Sequence, residues 1–581
     1  MTAESWRLPR RRDALSFWLR TRLLSLRSLV MYALSPSAVR WPAAGALADA
    51  PVVAQHRSPL WTDGDDAEFS LTAGKVENLR LAIKAFQAVE IRAGGVLSFW
   101  AQLGRPSARR GFVVGREIRE GCIVPTVAGG ICQLSNALAA VAARAGIEFV
   151  ERHAHSARTN ATPEQGLDAT LFWHHIDLKL RARAAWRLDV TMDDRELIVS
   201  LRSHAPPAAR AVVMQPQRPA RALARSCLDC QETQCFRHEQ HRGLRSQSAR
   251  TAALLDAWSP EFAGYLAARQ AEHFAPVPLR LAFWRPRGRA WSEVAWAAKA
   301  TSLRGALWRR LWARHGGGRR QAAILDAQRW LAQAYAAVLT PLHTRLIVDQ
   351  ALLPHLALCG ALDGREVEVL AHSLPFDEIH ARLDLAAQRH PAASLSDFRA
   401  SPELVAAEAQ GLARARRLVT PHADVASVLG RAFGEKVTRL PWATVSARPL
   451  ATPDCGQPPL LLFPAPAVAR KGAPELAVAL AGLGCRLRVL GRLDAAAWPG
   501  ITLDGAAAGD PLDGVVAVVL PAHVEHAPWL LLRALAQGLP VIATPACGLD
   551  AGSGLTLVDA GDTAALRVAL ITMLGAERRH A

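Results

Sequence analysis

The stretch 516-VAVVLPAHVEHAPWLLLRALAQGLPVIATPACGL-549 decides how the C-terminal half of the chain folds. VAVVL is an apolar run that stops at Pro521. WLLLRALAQ has the length and composition of a helix. Gly538 and Pro540 punctuate it, and VIAT is a second apolar run. Runs too short for helices, alternating with helical stretches, read as strands buried on both faces of a parallel sheet. The alternation recurs upstream in LRLAFW, TRLIVD, VEVLAH, RRLVTP, PLLLFP and RLRVLG. From about Leu279 onward the chain therefore reads as stacked βα units. No internal repeat of fixed period accompanies them.

Residues 51–225 carry a different pattern, a mixed α+β unit. Helices are expected over Val76–Val89 and Gln133–Ala145, and strands over Ile147–Arg152, Thr170–Leu180 and Leu188–Leu201. The chain has 581 residues, which predicts about three or four domains. Half of the residues are hydrophobic and 21% are charged, which excludes a chain disordered throughout. Nine cysteines are too few for a disulfide scaffold and point to a reducing compartment. The longest uncharged run, Gly121–Ala143, contains Pro125, Gly129, Gly130, Gln133, Ser135 and Asn136, too polar and too broken to span a bilayer. Arginines interrupt the apolar residues near the N-terminus, so no secretory signal is expected. These readings place the protein in the cytoplasm.

Sixty-nine Lys and Arg against 51 Asp and Glu leave a net charge of +18, so anions are the expected partners. Residues 1–50 hold eight Arg and three acids among Leu, Trp and Phe, as a basic amphipathic segment at an anionic membrane surface would. Residues 280–320 hold eleven Arg or Lys, one acid and five of the 17 Trp. There Leu303, Leu307 and Leu311 recur every four residues beside Trp308 and Trp312. A helix resting in lipid headgroups and a helix packed on its own protein both give this pattern. No recognition motif accompanies the aromatics, so nucleic acid is not an expected partner.

In 226-SCLDCQETQCFRHEQH-241, Cys227, Cys230, Cys235 and His238 fall within twelve residues, with His241 in reserve. Soft thiolates and imidazole on one tight loop suit a structural tetrahedral zinc ion. An iron–sulfur cluster is the alternative.

Three segments, 98-SFWAQLGRPSARRGFVVGREIREG-121, 128-AGGICQLSNAL-138 and 151-ERHAHS-156, strongly resemble the VanW family over roughly residues 70–205. Ala128 stands where the family usually has a third glycine. The resemblance implies a link to the cell envelope. The residues themselves suggest more. A helix starting near Ile131 or Cys132 would set the Cys132 thiol where the helix N-terminus favours the thiolate. His153 and His155 share one face of the following strand, so either is a candidate base, with Asp168 or Asn160 to orient it. Buried structural roles for Cys132 and the histidines are the competing reading. Ser98, Arg105, Arg109, Arg110 and Arg116 are an alternative anion pocket.

From about Leu279 the chain resembles the GT-B glycosyltransferases, most of all the retaining enzymes of family four. The likeness rests on 417-RLVTPHADVASVLGRAFGEKVTRLPWA-443, 460-LLLFPAPAVARKGAPELAVAL-480 and the stretch quoted first. It implies two Rossmann-like lobes and a nucleotide-sugar donor. By the same resemblance, Arg470 and Lys471 neutralise the diphosphate, Gly472 lets the backbone approach it, and Glu525 addresses the sugar. The second glutamate of the family's E-x7-E signature, which holds the ribose, is replaced here by Arg533. A cation cannot accept the hydroxyl protons that a carboxylate accepts, so ordinary nucleotide recognition is in doubt. His355, His372 and His422 read as structural.

The expected fold class is thus a multidomain α/β chain: a basic N-terminal segment (1–50), a VanW-type α+β domain (51–225), a Cys/His metal loop with helical connector (226–275), and GT-B lobes on the acceptor side (276–445) and donor side (446–581). The expected function is transfer of a sugar to an envelope glycan or lipid-linked precursor, at the inner face of the membrane. The alternative is a Cys132-dependent hydrolase or acyl transferase whose C-terminal lobes only bind.

Overall fold

The computed structural model describes residues 8–34, 39–61, 68–119, 121–154, 168–173, 175–206, 225–228, 230–237, 247–274, 304–305, 307–308, 311–312, 318–392, 395–397, 399–445, 447–453, 456–491, 495–505 and 509–580. Two compact units result: Met1–Arg250 with Leu339–Arg345 and Leu362–Glu366, and the remainder to Ala581.

The first unit is mixed α+β. Its strands are β1 (Val52–Pro59), β2 (Val89–Ile91), β3 (Val96–Ser98), β4 (Val114–Arg119), β5 (Cys122–Val127), β6 (Glu148–Glu151), β7 (Lys179–Arg181), β8 (Trp186–Met192), β9 (Glu196–Arg202) and β10 (Arg225–Ser226). They form three small sheets, ordered β1-β9-β8-β2, β3-β7-β6 and β10-β5-β4. In β8, Trp186, Leu188, Val190 and Met192 alternate inward, as a strand with one buried face requires. They join Leu79 and Phe86, which lie on and just after the helix Phe69–Ile83, and Leu134 and Leu138 of the helix Cys132–Arg144, in one core.

Three elements depart from expectation for local reasons. The stretch read as one strand over Leu188–Leu201 is the hairpin β8–β9, because the Asp193 carboxylate accepts the backbone N–H groups of Arg195 and Glu196 and turns the chain. Within Thr170–Leu180, Phe172 and Ile176 face each other across a tight turn, which leaves only Lys179–Arg181 as strand. The helix expected at Val76 begins at Phe69, through a turn holding Ser70, Thr72 and Gly74. Gly74 is required there, since a Cβ would stand 1.9 Å from the Val114 carbonyl oxygen. Tertiary packing overrides weak propensity at this end.

The second unit holds two six-stranded sheets. The first, ordered β12-β11-β13-β14-β15-β16, comprises β11 (Arg250–Leu254), β12 (Glu272–Phe274), β13 (His343–Asp349), β14 (Glu366–Leu370), β15 (Arg417–Thr420) and β16 (Val437–Arg439). It takes in β11 and β12, which lie in the stretch read as metal loop and connector. The second, ordered β19-β18-β17-β20-β21-β22, comprises β17 (Leu460–Phe463), β18 (Arg486–Val489), β19 (Thr502–Leu503), β20 (Ala517–Leu520), β21 (Val541–Ala543) and β22 (Leu555–Leu557), all parallel. Every residue of β17 and β20 is buried, which is what covering both faces with helices demands. Counted within the sheet, the order is 3-2-1-4-5-6. This doubly wound arrangement reverses direction between β17 and β20.

Candidate functional site

In an open parallel sheet a crevice forms beyond the carboxyl ends of the strands where the winding reverses, because the helices on either side diverge there. The turns that leave β17 and β20 meet at that place. The first carries Arg470, Lys471 and Gly472 into the helix Ala473–Leu480; the second carries His523 to Ala527. Lys471 Nζ donates to the Glu525 carboxylate at 2.8 Å and to the Val524 carbonyl at 3.0 Å. The other Glu525 oxygen accepts the backbone N–H groups of His526 and Ala527 at 2.9 and 3.0 Å. The two side chains are 10% and 13% exposed. Burial opposes ionisation of Glu525, but the Lys471 ammonium and the two N–H groups outweigh it and hold the carboxyl down to about 2. Arg470 lies alongside, and burial pulls its guanidinium below the usual range. Three of the residues singled out from sequence thus come together around one fixed negative charge.

Gly472 adopts φ 76°, and a Cβ there would stand 2.0 Å from the Pro521 carbonyl oxygen. The close approach expected at Gly472 is made to the turn after β20 and locks the two turns together. Arg533, eight residues beyond Glu525, is in the helix Trp529–Ala536 and pairs with Asp510. Its hydrogen bond holds Asp510 below the usual carboxylate range.

Two histidines here went unremarked in the sequence. His523 Nε2 meets the Glu475 carboxylate at 2.8 Å, both side chains being buried. His526 presents a buried Nε2 without a hydrogen-bond partner, and burial followed by Lys471 pushes its pKa down to about 3, so it is a neutral imidazole. Its signal was its adjacency to Glu525. His422 is structural, as expected: its Nδ1 accepts from Val425 N–H at the start of the helix Ala423–Phe433, and its Nε2 bonds the Glu525 carbonyl oxygen at 2.9 Å. The ring packs against Gly548, where a Cβ would lie 2.1 Å from Nδ1.

The first sheet also reverses, between β11 and β13. Asp256 follows β11, Asp349 ends β13 and His372 follows β14. His372 Nε2 lies 3.3 Å from Asp349 Oδ2, and Phe262 stacks edge-on at 4.8 Å. Burial lowers the imidazole's basicity, but Asp349 more than restores it and the net shift is upward. His355, by contrast, is buried and pushed down to about 4 by desolvation and by Arg329.

In the first unit Cys132 is the first residue of the helix Cys132–Arg144, as read from sequence. His153 is half-exposed and sits 3.5 Å from Glu151. Among the described residues no hydrogen bond joins it to the Cys132 thiol. His155 and Asn160 lie outside the described residues. The rest of the GGICQLSN motif is architectural. Gln133 Nε2 donates to Pro59 O at 2.8 Å, Ser135 Oγ to Ala169 O, and Asn136 Oδ1 accepts Ala169 N–H at 2.7 Å. Ser98 caps the helix Phe99–Leu103 and donates to Asp177 at 2.6 Å, and Arg110 binds the Arg105 carbonyl. These bonds draw Ser98 and Arg110 away from an anion pocket.

The loop read as a metal site is described only in part. Cys227 hydrogen-bonds with Cys122 of β5, which, with burial, pushes the Cys227 thiol up. Among the described residues no three His, Cys, Asp or Glu side chains are grouped to hold a metal ion. His238 and His241 lie outside them.

Comparison with known proteins agrees with the first of these units. The chain is 30% identical over 130 residues to vancomycin B-type resistance protein VanW of Enterococcus faecalis (strain ATCC 700802 / V583), a match covering 21% of this chain and 47% of that protein. The chain therefore spans about half the length of that relative. Among solved structures, the apo form of lipopolysaccharide outer core galactosyltransferase WaaB is similar at a TM-score of 0.30 and 13% identity, over 44% of this chain and 72% of its own. Sucrose-phosphate synthase from Thermosynechococcus elongatus gives 0.34 and 16%, over 43% and 70%. The family model described as VanW like protein matches residues 74–202, and this part of the chain is a VanW-like domain.

Proposed function

We propose that the second unit transfers a sugar from a nucleoside diphosphate donor to a hydroxyl of an envelope glycan or lipid-linked precursor. The observation that carries this reading is the Lys471–Glu525 pair, with Arg470 beside it, at the switch point of a doubly wound sheet. A diphosphate leaving group develops negative charge as the anomeric carbon–oxygen bond breaks, and the electron pair departs with it. Arg470 and Lys471 stand where that charge would be taken up, in surroundings dry enough to strengthen the attraction. The acceptor oxygen forms the new bond to the anomeric carbon. Its proton passes to His372, which the sequence alone reads as structural but which Asp349 keeps basic. Arg533, engaged by Asp510, leaves the ribose without its usual carboxylate. The resistance protein to which the VanW-like domain is related supports an envelope acceptor.

Calorimetric titration with uridine, guanosine and adenosine diphosphates tests the donor site. Replacing Arg470 by Ala should weaken the best of them at least tenfold, and undiminished affinity overturns the assignment. His372→Ala should retain diphosphate binding and lose transfer.

The helix Arg11–Leu34 supports a membrane-surface placement. Phe17 packs edge-on against Phe172 at 5.8 Å and lies under Arg119, while Leu15, Trp18, Leu19, Leu23, Leu24, Leu26 and Val30 are exposed. No helix among the described residues is long and apolar enough to cross a membrane. Basic residues interleaved with exposed apolar ones suit an anionic headgroup layer. Trp18→Glu with Leu23→Glu should abolish sedimentation with phosphatidylglycerol vesicles; unchanged sedimentation excludes this helix as the anchor. At the second basic stretch the tryptophans pack internally, Trp308 lying 5.6 Å from Trp312 and 6.1 Å from Trp330 with Arg304 over Trp330 at 4.1 Å, while Leu307 and Leu311 are exposed.

A further inference from the structure

Around Gly130 the first unit is built from close approaches of Gly74, Gly115 and Gly130. A Cβ on Gly115 would meet the Gly129 carbonyl oxygen at 2.4 Å, and one on Gly74 would meet the Val114 carbonyl oxygen at 1.9 Å. Asn78 ties the same strands, its Nδ2 donating to the Val113 and Gly129 carbonyls at 3.0 Å each and its Oδ1 accepting Val113 N–H at 2.9 Å. Gly130, at φ 94°, lies over Lys75, and a Cβ there would stand 2.2 Å from Lys75 Cγ. The next residue, Ile131, is the N-cap of the 13-residue helix Cys132–Arg144 and supplies no side-chain cap. The lysine stem therefore runs beneath the entrance of a helix whose terminal N–H groups carry partial positive charge.

Lys75 is 6% exposed, and among the described residues it makes neither an ion pair nor a hydrogen bond. Burial, and then Arg116 of β4, lower its ammonium to about 7. The buried carboxylate of Glu68 is paired with Arg116 at 3.4 Å, and Cys132 is the first residue of the helix. The node thus gathers two cations and a helix N-terminus against one carboxylate. A largely buried ammonium lacking a counter-charge is costly, and a fold that sets a glycine against its stem gains nothing from it as core. Methionine would fill the same space without the charge.

We infer that Lys75, Arg116 and the start of the Cys132–Arg144 helix form an oxyanion site of the VanW-like domain, which takes a carboxylate or phosphate group of that domain's ligand. The anion supplies the missing charge beside Lys75 and accepts N–H groups at the helix entrance, next to Cys132. This site is separate from the Arg470–Lys471 crevice and does not depend on the function proposed for it.

The test uses the full chain at pH 6.0 and constant ionic strength, with sulfate and acetate as probes and chloride as the balancing ion. A ligand that binds only the folded state raises the melting temperature. Sulfate or acetate should raise that of the wild type, and Lys75→Met should abolish the part of the rise due to this node. Any anion response of the other crevice is common to both proteins and cancels in the comparison. A response to acetate identifies a carboxylate site, and one to sulfate a phosphate-type site. Without added anion, Lys75→Met and Lys75→Gln should each melt no lower than wild type, because each removes an uncompensated charge. Equal anion responses in wild type and Lys75→Met overturn the inference. So does the absence of any response, or unfolding of both variants.

Discussion

At the scale of single residues, the Lys471–Glu525 pair decides the most. Each partner is nearly buried, so removing one strands the other without its counter-charge. Glu525→Gln should cost about 3 kcal/mol or more, a magnitude typical of broken buried pairs. Lys471→Met with Glu525→Gln should recover a large part of that loss, because neither charge is then left alone. Urea unfolding of the two single variants and the double variant gives the coupling directly. Independent, additive losses would mean that the pair is not a unit. The residue types at this site were legible: a basic pair after one apolar run and a glutamate after another announce an anion-handling turn. The bonding was not. No spacing rule brings positions 471 and 525 within 2.8 Å, since that distance is set by two strands lying side by side in the sheet. His526 was missed for the same reason, and Arg533 was recognised as a departure without any indication that Asp510 would engage it.

The glycine-led turns make the argument at the scale of elements. Gly472 and Gly482 have nearly the same backbone, φ 76° and 75°, but different surroundings. A Cβ on Gly482 meets nothing within 4 Å, whereas one on Gly472 meets Pro521 at 2.0 Å. Gly482→Ala should therefore cost only the left-handed strain, about 1 kcal/mol. Gly472→Ala should add a steric clash and cost at least about 2 kcal/mol more, by analogy with overpacked cores. It should also weaken diphosphate binding, because Lys471 rides on the displaced turn. Equal shifts of the denaturation midpoint in the two variants would contradict this reading. Element type followed the hydrophobic period well: TRLIVD, VEVLAH, RRLVTP, PLLLFP, RLRVLG, AVVLP and PVIATP coincide, within a residue at the start, with β13, β14, β15, β17, β18, β20 and β21, while LRLAFW lies outside the described residues. Element ends followed it poorly. The turn at Asp193 breaks an apolar alternation that continues on both sides, and only the Asp-Asp pair signals it. The early start of the Phe69–Ile83 helix depends on contact with β4, which local propensity does not contain.

At the scale of the whole molecule, the compositional reading of a basic, core-forming, multidomain chain left open how its buried acids are distributed, and these set its response to pH. Asp177 is buried in the first unit, where desolvation raises its carboxyl to about 6 despite hydrogen bonds from Ser98 and the Trp100 backbone. Glu408 is buried in the second, where desolvation raises it to about 7 despite Gln350 Nε2 and Phe376 N–H. A carboxyl with a raised folded pKa holds its proton after the unfolded chain has released it. Its stabilising effect is therefore complete below the unfolded pKa and is lost as pH rises through the folded one. A rise from the usual 3.8 to about 6, or from 4.5 to about 7, corresponds to roughly 3 kcal/mol each. Glu525 acts in the opposite sense, since its folded carboxyl is lowered to about 2; its contribution is present above about pH 4.5 and is lost in stronger acid. Stability should accordingly be greatest near pH 4 and fall through the range from pH 5 to 8, whereas the excess of basic residues taken alone would favour the alkaline side. Asp177→Asn and Glu408→Gln each remove one titrating proton and should each flatten the decline between pH 5 and 8, whatever they do to stability at pH 5. Denaturant unfolding of wild type and both variants at the two pH values measures that difference, and a wild-type protein more stable at pH 8 than at pH 5 would show that these two carboxyls do not control it.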